Sequence, residues 1–234
     1  MDAKTLLQRL FPQHHDVQFD GAYFAGTGTS GNTAVHIIGT IDKAPIGVEL
    51  AHRIAGEVLS VVRNPPGRPI LLAIDTSGQR LSRRDELLGV NGYMAHLAKC
   101  VDLARRSGHR VVGIVYSEAV SGGFLATSLF SDVCFALPDA EIKVMNLPAM
   151  SRITKIPLPR LQELSQSSPV FAPGVENYRR MGGIKGLWDG ELATCLAEAI
   201  AMPVAGDERW ADGEARAGRL LARPLADRVR HAAA

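Results

Sequence analysis

The chain has 234 residues, 46% of them apolar and 21% charged, with a formal charge of +2. That length can bury a substantial core, and the balance is that of a soluble globular protein, not of a nucleic-acid or membrane-surface binder. Three scattered cysteines (Cys100, Cys134, Cys195) read as buried thiols, no signal-peptide core stands at the N-terminus, and no apolar run is long enough to span a bilayer, so a cytoplasmic protein is expected.

In chain order, Ala3 to Phe11 reads as a short helix with Leu6, Leu7 and Leu10 on one face. Phe19–Ala25 and Thr33–Ile41 read as strands joined by Gly26-Thr27-Gly28-Thr29-Ser30-Gly31. That joint fits the dinucleotide pattern Gly-x-Gly-x-x-Gly, but the β-branched run after it is strand-like where the fingerprint needs a helix, so a hairpin loop is expected. Pro45–Val62 carries apolar residues at helical spacing and stops at Asn64-Pro65-Pro66-Gly67. A strand over Pro69–Asp75, a helix over Arg84–Arg106 and a strand over Val111–Tyr116 follow. Two short strands, Val133–Leu137 and Glu141–Met145, precede mostly helical sequence beyond Pro157. Helices are expected there at Arg160–Gln166, Val175–Met181, Glu191–Met202 and Glu214–Arg230, with Trp188 and Trp210 packing them. Strand–helix repeats with continuous apolar strands imply an α/β fold with parallel strands under helices. One domain over 1–234, helical from about 157, is expected.

The segment Glu118-Ala119-Val120-Ser121-Gly122-Gly123 follows a buried strand and opens a helix expected to run to about Asp132. Such a turn aims unpaired backbone N–H groups outward at the positive end of a helix dipole, where they can hold an oxyanion. It is not a nucleophile elbow, because Ala119 stands where Gly-x-Ser-x-Gly needs glycine. The seven histidines show no metal-ligand spacing.

Three segments together resemble the carboxyltransferase branch of the crotonase superfamily. Asp75-Thr76-Ser77-Gly78 resembles that family's Asp-Thr-Pro-Gly, with Glu86 and Gly89 standing where it has an acid and a glycine. Glu118 to Gly123, running on to Asp132, resembles its Glu-Gly-Gly-Ser-Gly-Gly segment. Lys143 to Met150 lies where it has a strand and then Pro-Glu-Gly. The resemblance spans about residues 33 to 155; Leu81-Ser82 and Leu147-Pro148-Ala149 depart from the pattern. Length, the Gly-Thr-Gly-Thr-Ser-Gly stretch and Asp-Thr-Ser-Gly-Gln make the chain most similar to the gamma-subunit family of biotin-independent malonate decarboxylases.

The resemblance implies a crotonase-like (ClpP/crotonase) spiral of ββα units with a helical C-terminal extension. It implies a homologous beta-subunit partner carrying the other half of the site, and a malonyl thioester presented on the phosphopantetheine-type group of an acyl carrier subunit. No cofactor is expected on this chain itself. Decarboxylation of a malonyl thioester builds charge on the thioester oxygen, which preorganised donors can stabilise without a metal or a nucleophile. Gly122 and Gly123 are the expected backbone donors, and Ser121 either orients a carboxylate or caps the helix. Thr76, Ser77, Gly78 and Gln79 lie at a strand's carboxyl end, Ser82 and Arg83 in the family's second donor loop, and Met145 and Asn146 at another strand end. These eight are the expected substrate contacts, while Asp75 reads as a turn carboxylate and Asn146 equally as a turn former. The alternatives are a carboxyltransferase subunit of a biotin-dependent acyl-CoA carboxylase and a non-catalytic structural subunit.

Overall fold

The computed structural model describes residues 1–64, 67–167, 173–203, 206–218 and 220–232. Helix α1 (Ala3–Leu10) is capped by Asp2, whose side chain accepts the Thr5 N–H, and it buries Leu6, Leu7 and Leu10. Strands β1 (His15–Asp20), β2 (Tyr23–Ser30) and β3 (Thr33–Thr40) then form an antiparallel meander. This corrects the expected hairpin. Gly26 to Ser30 lie inside β2, and the tight turns fall at Gly21 and Gly31, both with positive φ. Glycine is needed inside β2 for close approach: a Cβ on Gly26 would sit 2.0 Å from the Asp16 carbonyl oxygen, and one on Gly28 would sit 2.6 Å from the Phe11 ring.

Pro45 does not open a helix. Pro45–Ile46 is a short strand, β4, and α2 (Val48–Arg63) begins after Gly47. Strand β5 (Ile70–Thr76) leads into β6 (Gly78–Gln79), which pairs with β4. The single helix expected over Arg84–Arg106 is two, α3 (Arg83–Leu87) and α4 (Val90–Arg106), broken by Gly89 at φ 74. The break turns Leu87 and Leu88, expected in the apolar stripe, out to solvent.

Strand β7 (Val111–Val120) is longer than expected and runs up to Ser121, where α5 (Ser121–Leu125) begins. That helix stops well short of Asp132, with a 3-10 turn over Ser128–Phe130 between them. Strands β8 (Val133–Ala136) and β9 (Glu141–Lys143) follow, then α6 (Leu147–Thr154), α7 (Leu158–Ser167), α8 (Val175–Arg180), β10 (Gly186–Leu187), α9 (Leu192–Ala201), α10 (Arg209–Ala215) and α11 (Ala222–Ala232). The helix expected over Glu214–Arg230 is thus split, with Ala217 at positive φ and Gly218 packed where a Cβ would sit 2.0 Å from the Arg180 carbonyl oxygen. Residue 219, within that expected helix, lies outside the described residues.

The main sheet runs β1-β2-β3-β5-β7-β8-β10, and it is parallel from β3 onward. β7 pairs with β8 through Val112–Val115 and with β9 through Glu118–Val120, so two strands share one of its edges. Strand side chains alternate between the faces. Ile38, Leu72 and Ile74 pack with α2 and α4, whereas Ile37, Leu71 and Ile114 pack with α1, α9 and Trp188. Trp188 stacks on Phe135 with centroids 5.0 Å apart, but Trp210 is 55% exposed and carries Arg223 over its ring.

Candidate active site at the carboxyl ends of the parallel strands

The parallel strands β5, β7 and β9 end together, because β9 pairs with the last three residues of β7 and Thr76 of β5 pairs with Ala119. This brings the Ser121 turn, the Thr76–Gln79 segment and the Met145-Asn146 step to one end of the sheet. Ser121 opens α5 with φ 46, the left-handed region that a residue with a Cβ adopts at a cost of roughly 1–3 kcal/mol. It is the first helical residue and not the cap; Val120 holds the cap position and makes no side-chain bond there. The Ser121 hydroxyl is therefore free of the capping role.

Gly123 is buried against the neighbouring segment: a Cβ there would lie 2.9 Å from Thr76 Oγ1 and 3.0 Å from Gly78 Cα. The missing Cβ is required by packing, so a larger side chain would strike protein before it struck substrate. Gly122 is roomier, with Gln79 Oε1 3.4 Å from an added Cβ. The Gln79 carboxamide thus flanks the turn, and among the described residues its side chain is tethered only by a long 3.4 Å contact to Glu86 Oε1.

Several expected substrate contacts are committed elsewhere. Thr76 is fully buried; its hydroxyl donates to Ala44 O at 2.6 Å and accepts the Gly78 N–H at 3.0 Å. Gly78, at φ 103, packs under the Val120 carbonyl. Ser77 is exposed and donates its backbone N–H to Lys43 O. The Ser82 hydroxyl caps α3, accepting the Asp85 N–H while donating to the Asp85 carboxylate. Arg83 is exposed and makes no ion pair among the described residues. Asn146 caps α6, its Oδ1 accepting the Ala149 N–H at 2.9 Å, and Met145 beside it is half-buried. Of the expected contacts, Ser77, Arg83 and Asn146 are exposed, and Gln79, Ser121, Gly122 and Met145 are half-buried.

Asp75 accepts backbone N–H groups, though from remote chain: Lys43 N at 2.9 Å and Glu118 N at 3.1 Å. It ties β5 to β7 and to the turn after β3, where Asp42 and Lys43 both have positive φ. The sequence reading gave no role to two buried carboxylates, Glu118 beside Asp75 and Asp85 beside Arg80. Glu118, nearly buried, receives Lys43 Nζ at 2.8 Å and Lys143 Nζ at 3.1 Å. Burial pushes its carboxyl up, but the two ammonium groups outweigh burial and hold it below the ordinary glutamate value. Asp85, also buried, takes both Arg80 N–H groups, and these bonds hold its carboxyl far below the usual range. The Glu118 pairs with Lys43 and Lys143, like Arg80 with Glu49, join remote stretches and leave no local pattern to read, whereas Arg80 and Asp85 are close in sequence. Among the described residues no group of three or more His, Cys, Asp or Glu side chains could hold a metal ion.

The sequence profile described as the malonate decarboxylase gamma subunit matches residues 41–233. The chain belongs to that family. Over 199 residues it is 34% identical to the malonyl-S-ACP:biotin-protein carboxyltransferase of Malonomonas rubra, covering 75% of this chain and 68% of that one. Among solved structures it superposes on a chain of the Pseudomonas malonate decarboxylase hetero-tetramer in complex with coenzyme A, with TM-score 0.80, 21% identity, and 96% and 97% of the two chains covered. It also matches the transcarboxylase 12S core at TM-score 0.71 and 15% identity, covering 85% of this chain and 41% of that one. These likenesses establish the crotonase-like fold that the sequence motifs led us to expect. Among the described residues no helix is long and apolar enough to cross a membrane.

Proposed function

We propose that this gamma-family chain is one half of a malonyl-thioester decarboxylase, completed by a homologous beta subunit and fed by an acyl carrier subunit. The observation that carries the reading is the turn at the end of β7, a strained Ser121 followed by two glycines at a helix start. The first N–H groups of α5 lack intrahelical acceptors, as at any helix start, and the macrodipole favours negative charge there. When the bond between the carboxylate and the α-carbon breaks, its electron pair forms an enolate and CO2 departs. A proton then returns to the α-carbon to give the acetyl thioester. The N–H groups of Gly122 and Gly123 serve the charge carried by the substrate oxygens, and loss of one such donor costs roughly 3–4 kcal/mol of barrier. Ser121, Gln79 and Asn146 supply polar contacts around the carboxylate, on the CO2 side of the cleft.

Partner sharing is supported by surface left uncovered on the elements around the turn. Leu81 is 86%, Leu87 76% and Leu125 51% exposed. Apolar surface of this kind marks an interaction face. The Pseudomonas relatives are described as a hetero-tetramer and a hetero-dimer, consistent with such a partner for this chain.

The Malonomonas relative favours a second reading, in which the CO2 is not released but transferred to biotin on another chain. No methionine in this chain is followed by lysine, so the Met-Lys attachment sequence for biotin is absent here. The chain, its beta partner and a malonylated carrier are to be combined and CO2 release followed with and without avidin. Release that needs the partner and ignores avidin supports the decarboxylase. Full turnover by this chain alone would remove the shared cleft, and avidin inhibition would establish the transfer reading.

A further inference from the structure

Arg80, the neighbour of Gln79, is tied on several sides. Its backbone N–H donates to Ile46 O at 2.9 Å. Its Nε and Nη2 donate to the two Asp85 oxygens at 2.8 and 3.0 Å, and Nη2 also reaches Glu49 Oε2 at 2.6 Å. The guanidinium lies so close on Gly47 that a Cβ there would fall 2.3 Å from Nε. Asp85 in turn accepts the Val48 N–H at 2.9 Å and the Ser82 hydroxyl. On the other side of Gln79, Gly78 N is fixed on Thr76 Oγ1 at 3.0 Å. Backbone on both flanks of Gln79 is thereby immobilised while its own side chain stays lightly held beside Gly122.

A malonyl group differs from an acetyl group by one terminal carboxylate. Gln79 Oε1 faces the turn while Nε2 reaches Glu86, so a half-turn of this lightly held carboxamide brings its N–H to that carboxylate, where a methyl group offers nothing to accept it. We propose that the Arg80–Asp85 pair is a positioning device that sets the Gln79 carboxamide against the Ser121 turn and so makes the site prefer malonyl to acetyl thioesters. The inference rests on the decarboxylase reading and adds to it the residues that discriminate substrate from product. Arg80 and Asp85 touch no substrate; they act through Gln79. A bidentate Arg–carboxylate pair suits this role because its planar fork fixes direction as well as distance.

The test uses the assembled complex, with malonyl-carrier as substrate and acetyl-carrier as competing inhibitor, and reads the ratio of the KM for the first to the Ki for the second. Arg80→Lys keeps the charge and loses the fork. Asp85→Asn keeps an acceptor for the Val48 N–H and the Ser82 contact but loses the ionic partner. Each is expected to worsen discrimination by roughly tenfold, the value of one good hydrogen bond, with complex formation retained. Tm falls in Asp85→Asn, which breaks a buried ion pair, and the KM-to-Ki ratio is read on the folded complex. In a Gln79→Ala background Arg80→Lys is expected to add nothing. Unchanged discrimination in both single variants, or additive losses in the double variant, overturns the proposal while leaving the decarboxylase standing. A wild-type complex that fails to decarboxylate malonyl-carrier takes both readings down.

Discussion

The two ends of β7 differ in a way that bears on which of them meets a substrate. At its start, Arg110, Asp132, Lys185, Arg209 and Asp212 line a cavity of about 350 Å³. Charge there is already matched: Lys185 sits 3.1 Å from Glu208 and 3.0 Å from Asp212, and Arg105 is 2.9 Å from Asp132. Arg110, which has no carboxylate partner among the described residues, spends two N–H groups on the Ala199 carbonyl near the end of α9, where a cation suits the helix dipole. At the other end of β7, about 30 Å away at strand rise, the Ser121 backbone is strained and Leu81, Leu87 and Leu125 are bare. Strain and uncovered apolar surface persist where something outside the chain is to be met, whereas satisfied charge marks architecture.

The largest effect that tests this contrast is expected from Gly123→Val. Its branched side chain must enter space held by Thr76 Oγ1 and the Gly78 backbone, and overpacking of this kind costs roughly 1–3 kcal/mol before any effect on chemistry. The displaced Gly78 and turn should lower decarboxylation by a further factor of roughly 10²–10³ per folded complex. Gly182→Ala at the opposite end is the matched control. Gly182 has φ 78, and a Cβ there would meet the Arg209 carbonyl oxygen at 1.9 Å, so Tm should fall at least as far. Turnover per folded complex should nevertheless stay at the wild-type level. Equal losses of specific rate in the two variants would erase the distinction between the ends.

A smaller effect is expected from Glu118→Gln, read in acid. Because the folded carboxyl is held below its ordinary value of 4.5, its ion pairs contribute fully above that pH and fade as pH falls through the folded value. Wild-type Tm should therefore drop on acidification below about 4.5, and the variant, already lower at neutral pH, should show a shallower acid limb. Parallel curves for the two proteins would show that Lys43 and Lys143 do not shift this carboxyl.

Much of this end of the molecule was legible because short-range chemistry encodes it. Apolar runs gave β5, β7 and β8, and Ser121-Gly122-Gly123 marked the strand-to-helix turn. The glycines of Gly26-Thr27-Gly28-Thr29-Ser30-Gly31 misled because a strand uses glycine for close approach as readily as a loop uses it for freedom. Asp16 and Phe11, which demand them, lie ten or more residues away. Ser82 and Thr76 looked available for substrate, yet Asp85 and Ala44 had already engaged their hydroxyls. Local motifs locate a site, but which polar groups are left over depends on partners that only the folded chain brings near.

The smallest effect concerns Arg110 and is the sharpest check on the hollow end. Arg110→Met keeps an apolar stem and deletes both N–H donors, leaving the Ala199 carbonyl, in a residue that is 1% exposed, without those partners. An orphaned buried carbonyl costs roughly 1–3 kcal/mol, so Tm should fall by a few degrees. Burial already holds the Arg110 pKa below the ordinary arginine value, so removing its charge also relieves a desolvation cost and pulls the loss toward the lower end of that range. Neither contribution reaches the Ser121 turn, and kcat and KM for malonyl-carrier should match wild type. A variant that keeps its Tm but loses turnover would mean that the cavity takes part in the reaction, and the division between the two ends of β7 would have to be abandoned.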